Sequence, residues 1–306
     1  MNRTSHNTLA ITFIILFFIS INASANQLTD RISACNSALS KGDWASAVVA
    51  SDEILKVDRN NRDGLLCKGR ALGAQGKYDA ALNVLEMAAK QSQPGFDEII
   101  ANIFIGNLHK GNNKNAEAIA SYEKSLKICE AEKNDKFKRI SLNLMGEAQA
   151  QNNGLNAALA SYLAGSKLAM NDNERADSFE RLGTIYSALG QHDSAIEYQL
   201  KATLMQQKSG TLDQYADASL ALGKAYEKAE EYANAENTYT KLIQFAKENG
   251  GAYYEAKASF DLAQIKAASG DTAKAKSLMG NALKLAKTVG DTGLTAEIET
   301  ALNKMN

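Results

Sequence analysis

The chain contains one proline, one tryptophan, three histidines and three cysteines among 306 residues, and its formal net charge is −1. Each scarcity removes a class of reading. With Pro94 alone in its class, turns must be made by glycine, asparagine and aspartate. A near-zero charge offers no basic stripe for nucleic acid. His6 lies in the N-terminal apolar leader, which leaves His109 and His192, and neither has a partner ligand or nucleophile at motif spacing. There is no CxxC, no H-E-x-x-H, no G-x-S-x-G and no glycine loop of the phosphate-cradling type. The chain is therefore expected to be no enzyme and to carry no cofactor or metal.

Long apolar runs are also scarce, with one exception. Arg3 precedes an almost wholly apolar run from Leu9 to Ile21, and Ala23-Ser24-Ala25 follows with the small residues of a secretory cleavage site. An apolar run of this length makes a helix of roughly 20 Å, short of the roughly 30 Å hydrocarbon core of a bilayer. Residues 1–25 read as a signal peptide cleaved after Ala25, which places the mature chain, at net charge −2 without Arg3, in the periplasm or outside the cell. No second apolar run is long enough to span a membrane, so no stable membrane insertion is expected after cleavage. Cys35, Cys67 and Cys129 are an odd number for an oxidising compartment. Cys35 reads either as a small core residue or as one end of a bridge to Cys67, a choice that depends on the distance between their alpha carbons.

What the chain has in abundance is periodicity. A small residue is followed twelve positions later by alanine at Cys35 and Ala47, Gly69 and Ala81, Gly106 and Ala118, Gly146 and Ala158, Gly183 and Ala195, Gly223 and Ala235, and Ala263 and Ala275. The alanines step by 34, 37, 40, 37, 40 and 40 residues, so the spacing inside each repeat is constant while the outer loops vary. Apolar residues between these marks fall three and four apart, as in Phe179, Leu182, Gly183 and Tyr186, which is one face of a helix. The pattern predicts a repeated helical hairpin, and arrays of this period bind far more often than they catalyse.

The stretches Leu182-Gly183-Thr184-Ile185-Tyr186 and Leu222-Gly223-Lys224-Ala225-Tyr226, with Gly190 and Tyr232 in the turns that follow, resemble the tetratricopeptide repeat family. The resemblance runs from about Leu28 to Val289, departing only in the missing closing proline. It implies an all-α fold, a right-handed α-solenoid of about seven hairpins at residues 28–61, 62–95, 96–135, 136–173, 174–210, 212–251 and 252–290. Residues 26–306 would then form one superhelical domain, closed by a capping helix at 292–306 with Leu294, Ile298, Leu302 and Met305 on one face. Repeats of 40 residues are similar to the long-helix subclass found in kinesin light chain and in several peptide-binding receptors.

By register, Tyr122, Tyr162 and Tyr239 share one second-helix position and Tyr186 and Tyr226 one first-helix position, so core packing accounts for them. Of the adjacent pair Tyr253 and Tyr254, one should be the more exposed. If the chain binds as its family does, first-helix residues line a concave groove, and the candidates for partner contact are Arg70, Asn107, Lys110, Asn143, Glu147 and Lys224. Arg70, Asn107, Asn143 and Glu147 have no obvious partner within their own repeats. The expectation is an exported scaffold holding a segment or helix of an envelope protein, in a setting such as polysaccharide export, pilus assembly or outer-membrane assembly; the alternative is a receptor that closes on a small peptide or other ligand. The partner is a protein or peptide, and the oligomeric state is open. N-terminal sequencing of the exported chain should return Asn26 as its first residue, and a membrane-bound chain that retains Met1 would turn the leader into an anchor.

Overall fold

A computed structural model describes residues 27–305, which form fifteen helices and, among the described residues, no strand. The expected leader and its cleavage site lie outside them. The helices pair in chain order: α1 (27–40) with α2 (Trp44–Val57), α3 (Arg62–Ala74) with α4 (Tyr78–Lys90), α5 (Phe96–Gly111) with α6 (Asn115–Ala131), and α7 (Asp135–Gln151) with α8 (Leu155–Ser166). There follow α9 (Asp172–Ala188) with α10 (His192–Ser209), α11 (Leu212–Lys228) with α12 (Tyr232–Glu248), α13 (Ala252–Ala268) with α14 (Thr272–Val289), and α15 (Thr292–Lys304) by itself. The chain divides into two compact units, an N-terminal one ending at Ala148 and a C-terminal one beginning at Gln149.

One turn recurs inside all seven hairpins. Seven residues after each small residue the backbone enters the left-handed region, at Gly42, Gly76, Asn113, Asn153, Gly190, Glu230 and Gly270. The following amide donates back over the turn, as in Lys77 N–H to the Leu72 carbonyl at 3.0 Å and Gln191 N–H to the Tyr186 carbonyl at 2.9 Å. These bonds satisfy carbonyls that a helix end leaves unpaired. Glycine and asparagine tolerate the left-handed backbone, whereas a glutamate there meets its own carbonyl through Cβ. Side chains hold several other starts: Asp43 accepts from the Ser46 amide, Asn171 from Glu174, Asp291 from Leu294, and Thr211 and Gln214 cap each other reciprocally.

The small residue is small because of a side chain sixteen positions later. A Cβ built on Gly69, Gly106, Gly183 or Gly223 would lie 2.6, 2.5, 2.6 or 2.3 Å from an atom of Leu85, Tyr122, Gln199 or Tyr239 respectively. These second-helix side chains lie across the first helix, and all are buried. The alanines at twelve are fully buried too, but they fill space beside the contact and do not make it. Tyr122, Tyr162 and Tyr239 are core residues as expected. Tyr186 and Tyr226 are only half-buried, and Tyr186 stacks on Tyr198 with ring centroids 5.4 Å apart. Tyr253 is the exposed member of its pair, while Tyr254 turns inward to Asp217 and Asp213, and its burial, aided by their charges, raises its hydroxyl pKa.

Both ends of the array are closed by specific devices. Cys35 of α1 and Cys67 of α3 form a disulfide, with alpha carbons 6.4 Å apart, so the first hairpin is stapled to the second. A bridge across 32 residues removes roughly 3–4 kcal/mol of unfolded-chain freedom. Cys129 stays free and buried. At the other end Leu294 and Ile298 of α15 join Phe260, Ala263, Met279 and Ala282 in one apolar cluster, which covers the last hairpin as a cap must.

Two outcomes test this packing. Gly223→Leu should overpack Tyr239 and lower the stability of the C-terminal unit by about 1–3 kcal/mol, whereas Gly280→Ala, where a Cβ meets nothing within 4 Å, should leave it unchanged or higher. Glu230→Gly should raise the unfolding midpoint by relieving a left-handed glutamate, a gain of up to about 1 kcal/mol. Denaturant titration followed by circular dichroism reads both.

Candidate functional site

Neighbouring first helices meet at a junction whose composition follows the register of the repeats. Relative to the small residue, position +1 of one first helix faces position −2 of the next, and position +4 stands at the junction's edge. Arg70 and Phe104 show the first relation, with the guanidinium 4.7 Å from the ring centroid. The side chain at +16 forms the floor.

Three junctions with glycine or alanine at position +4 hold a cavity. Where that residue is Gly73, a cavity of about 330 Å³ lies between α3 and α5 over Leu85. At Ala150, a cavity of about 410 Å³ lies between the end of α7 and α9 beside Tyr162. At Ala267, one of about 740 Å³ lies between α13 and α15 over Met279. Larger side chains at +4 make polar contacts instead. Lys110 reaches from α5 to Glu147 of α7 in a short ion pair. Glu227 accepts the Tyr239 hydroxyl, and beside it Lys224 reaches Asp261 of α13 at 3.1 Å. At Ser187 the hydroxyl meets the Lys228 ammonium at 3.1 Å.

The six candidate residues therefore separate. Arg70 and Asn107 come together on the wall of one cavity. Lys110 and Glu147 pair with each other, and Lys224 pairs with Asp261, which is only 1% exposed. Asn143, at 7% exposed, belongs to the packed interior. Asn107 has a partner inside its own repeat after all, because its Oδ1 accepts the Tyr122 hydroxyl at 2.7 Å. The hydrogen bonds and ion pairs run between helices, which is why spacing along one motif does not reveal them.

Electrostatics reinforce this division. Burial, aided by the charge of Glu147, raises the Tyr122 hydroxyl pKa, so the phenol remains a donor to Asn107. Burial and the bond to Glu227 do the same for Tyr239. Burial also raises the Glu180 carboxyl on the wall of the second cavity, against an opposing hydrogen bond from Gln206. His109 takes a bond of 2.7 Å between its Nδ1 and the Tyr78 hydroxyl, and burial lowers its pKa. Among the described residues no group of three or more His, Cys, Asp or Glu side chains converges to hold a metal ion. No helix of the described residues is long and apolar enough to cross a membrane.

Sequence reasoning passed over Phe104 and Met279, and read Tyr162 as core packing alone. The signal that marks these clefts is the glycine or alanine at +4, Gly73, Ala150 and Ala267, visible once the register is set.

Comparison with known proteins agrees with this architecture. Sequence profiles of the tetratricopeptide repeat match residues 174–248, which span α9 to α12, and residues 100–132, which span most of α5 and all of α6. The chain is 25% identical over 187 residues to outer dynein arm-docking complex subunit 4 of Bos taurus, a match that covers 60% of this chain and 27% of that protein. The structure is similar to that of RapI in its apo form, with a TM-score of 0.70 at 14% identity, covering 89% of this chain and 80% of RapI. It is also similar to the apo form of the quorum sensor NprR from B. thuringiensis, with a TM-score of 0.59 at 15% identity, covering 97% and 94% of the two chains. At such identities the two structures speak to fold alone. A hairpin with one left-handed turn, one small residue under a second-helix side chain and one register repeated seven times, matched by profiles in both units, supports a tetratricopeptide repeat protein, with the repeats themselves matched at residues 100–132 and 174–248.

Proposed function

We propose that the chain is an exported, non-enzymatic interaction scaffold that holds an extended segment or a helix of a protein partner against its first helices. The observation that carries this reading is the cavity that returns at one register position in the second, fourth and seventh repeats. A cleft repeated by the architecture suits a ligand that is itself extended, since a small substrate needs one site only. The wall residues are mixed in charge and carry amides beside apolar floors, a composition that recognises peptide and offers no nucleophile with an adjacent base.

Two observations support export. The leader has the three parts of a secretory signal, and a buried disulfide between α1 and α3 belongs in an oxidising compartment. The alternative, a receptor for a small peptide, would use the same clefts. The likeness of nearly the whole chain to the apo form of a quorum sensor favours keeping it, though that likeness is one of fold.

Site-specific photocrosslinking in the cell of origin tests the scaffold. A crosslinking residue at Ala74 or Ala188, which are exposed and line the first and second cavities, should capture one discrete protein partner. The same residue at Glu123 or Lys127, on the exposed outer face of α6, should not. Capture from the outer face alone would overturn the proposal, and capture of only a small peptide at the cleft positions would favour the receptor.

A further inference from the structure

The seam between α9 and α11 has a polar floor. The side chain lying across Gly183 is Gln199, where other repeats place Leu85, Tyr122 or Tyr239. Further along α10, Thr203 and Gln206 are buried as well, the first donating to the Ala218 carbonyl of α11 at 3.1 Å and the second to the Glu180 carboxylate at 3.1 Å. Gln199 is only 3% exposed. Its Nε2 lies 3.3 Å from the Glu180 carbonyl and 3.4 Å from the Thr184 hydroxyl. A backbone carbonyl can only accept, which holds the amino end of the amide toward it and turns the Oε1 the other way. That Oε1 is buried and has no hydrogen-bond partner among the described residues, a costly state for an acceptor.

The charges above this floor are of one sign. Glu180 of α9, Asp217 of α11 and Tyr254 of α13 follow one another at steps of 37 residues, on successive first helices. Asp217 shares a hydrogen bond with the Tyr254 hydroxyl, Asp213 stands close to both, and the charge of Asp217 acts on Glu180. Elsewhere a first-helix carboxylate at a junction takes a lysine, as Glu147 takes Lys110 and Asp261 takes Lys224. Among the described residues neither Glu180 nor Asp217 has an ion-pair partner, and Arg181, next to Glu180 in the chain, is held by Asp177 at 3.0 Å. Burial raises the pKa of both carboxyls, so each carries its charge at a cost. Access is provided by the second cavity, whose wall includes Glu180 and Thr184 beside the apolar surfaces of Leu155, Tyr162 and Ile185.

We propose that Glu180, Asp217 and the Gln199 Oε1 form a subsite for a cationic side chain of the partner segment, a lysine or arginine whose stem lies in the cavity and whose head meets these acceptors. The inference rests on the scaffold reading and names the charge the partner carries at this position. An ammonium or guanidinium has donors only, which matches a site made of acceptors. A metal ion fits less well, since among the described residues no three His, Cys, Asp or Glu side chains converge.

Titration of the full mature chain, isotopically labelled and with its disulfide intact, tests the subsite by amide NMR at fixed ionic strength. The probes are N-acetylarginine amide, N-acetylcitrulline amide, which has nearly the same shape and no charge, and spermidine and magnesium ion as free cations. The arginine probe should shift the amides of Gly183, Thr184 and Asp217, and the citrulline probe should bind about tenfold or more weakly, the worth of one charge-assisted hydrogen bond. Glu180→Gln keeps an acceptor for Gln206 and removes the charge, so it should abolish the preference for arginine while the unfolding midpoint stays equal or rises. Gln199→Leu, which copies the packing of Leu85 over Gly69, should weaken the arginine probe several-fold with helical content unchanged. Acidification should erase the preference for arginine already above the usual carboxylate range, because protonation removes the charge and burial moves protonation upward. Equal binding of the arginine and citrulline probes, a preference that survives Glu180→Gln or acid, a lower midpoint in that variant, or tighter binding of spermidine or magnesium would each overturn the subsite. If photocrosslinks at Ala188 capture a protein while the two probes bind alike, this inference fails and the scaffold survives; if the arginine probe binds here but the cleft positions capture no partner, the scaffold reading fails instead.

Discussion

The contact on which the rest depends is a second-helix side chain lying across a residue without bulk on the first helix. Leu85 over Gly69, Tyr122 over Gly106, Gln199 over Gly183 and Tyr239 over Gly223 are four instances of one arrangement. Close approach buries the alanines at position +12 and sets the angle at which the second helix returns. It also fixes which first-helix residues reach the junction with the next repeat. Helix–helix packing is sensitive to single methylenes because interiors are filled close to crystal density, so the glycine is a geometric requirement and the large residue above it is free to vary among leucine, tyrosine and glutamine.

That freedom links packing to recognition. When the overlying residue is Tyr122, its hydroxyl reaches the first-helix face and orients Asn107; when it is Tyr239, the hydroxyl goes to Glu227. When it is Leu85 or Met279 the floor of the junction is apolar. Glycine or alanine at +4 leaves space above that floor. Gly73, Ala150 and Ala267 leave clefts, while Lys110 pairs with Glu147 and spans the gap. Two positions in the register thus shape each junction, with no change in backbone architecture. The arrangement gives a repeat array a way to differ from one junction to the next while each repeat keeps the same local stability rules.

The ends of the array show how a linear architecture manages its exposed faces. A terminal hairpin contacts one neighbour in place of two, so it lacks half of the interface energy of an internal one. The C-terminal end is covered by α15, whose Leu294 and Ile298 occupy the place of a following first helix. At the N-terminal end the disulfide between Cys35 and Cys67 ties α1 to α3 covalently, in a position where its neighbours rely on packing. The two devices answer the same deficit by different chemistry.

Much of this was legible in order of residues. The twelve-residue spacing predicted seven hairpins and their turns because helix period and turn length are local properties, and the left-handed position at +7 follows from the same count. The burial of Tyr122, Tyr162 and Tyr239 followed from register, and so did the covering role of the last helix. The disulfide did not, because Cys35 and Cys67 are 32 residues apart and only the docking of α1 on α3 brings their alpha carbons within reach. Nor did the fate of the candidate binding residues: Lys110 with Glu147 and Lys224 with Asp261 are each 37 residues apart, a separation that varies with outer-loop length. The sequence by itself determined the repeated hairpin, since helices, turns and close contacts within a hairpin are governed by short-range periodicity; which polar groups on that face find one another, and which, like Arg70, do not, was decided only by how successive repeats stack.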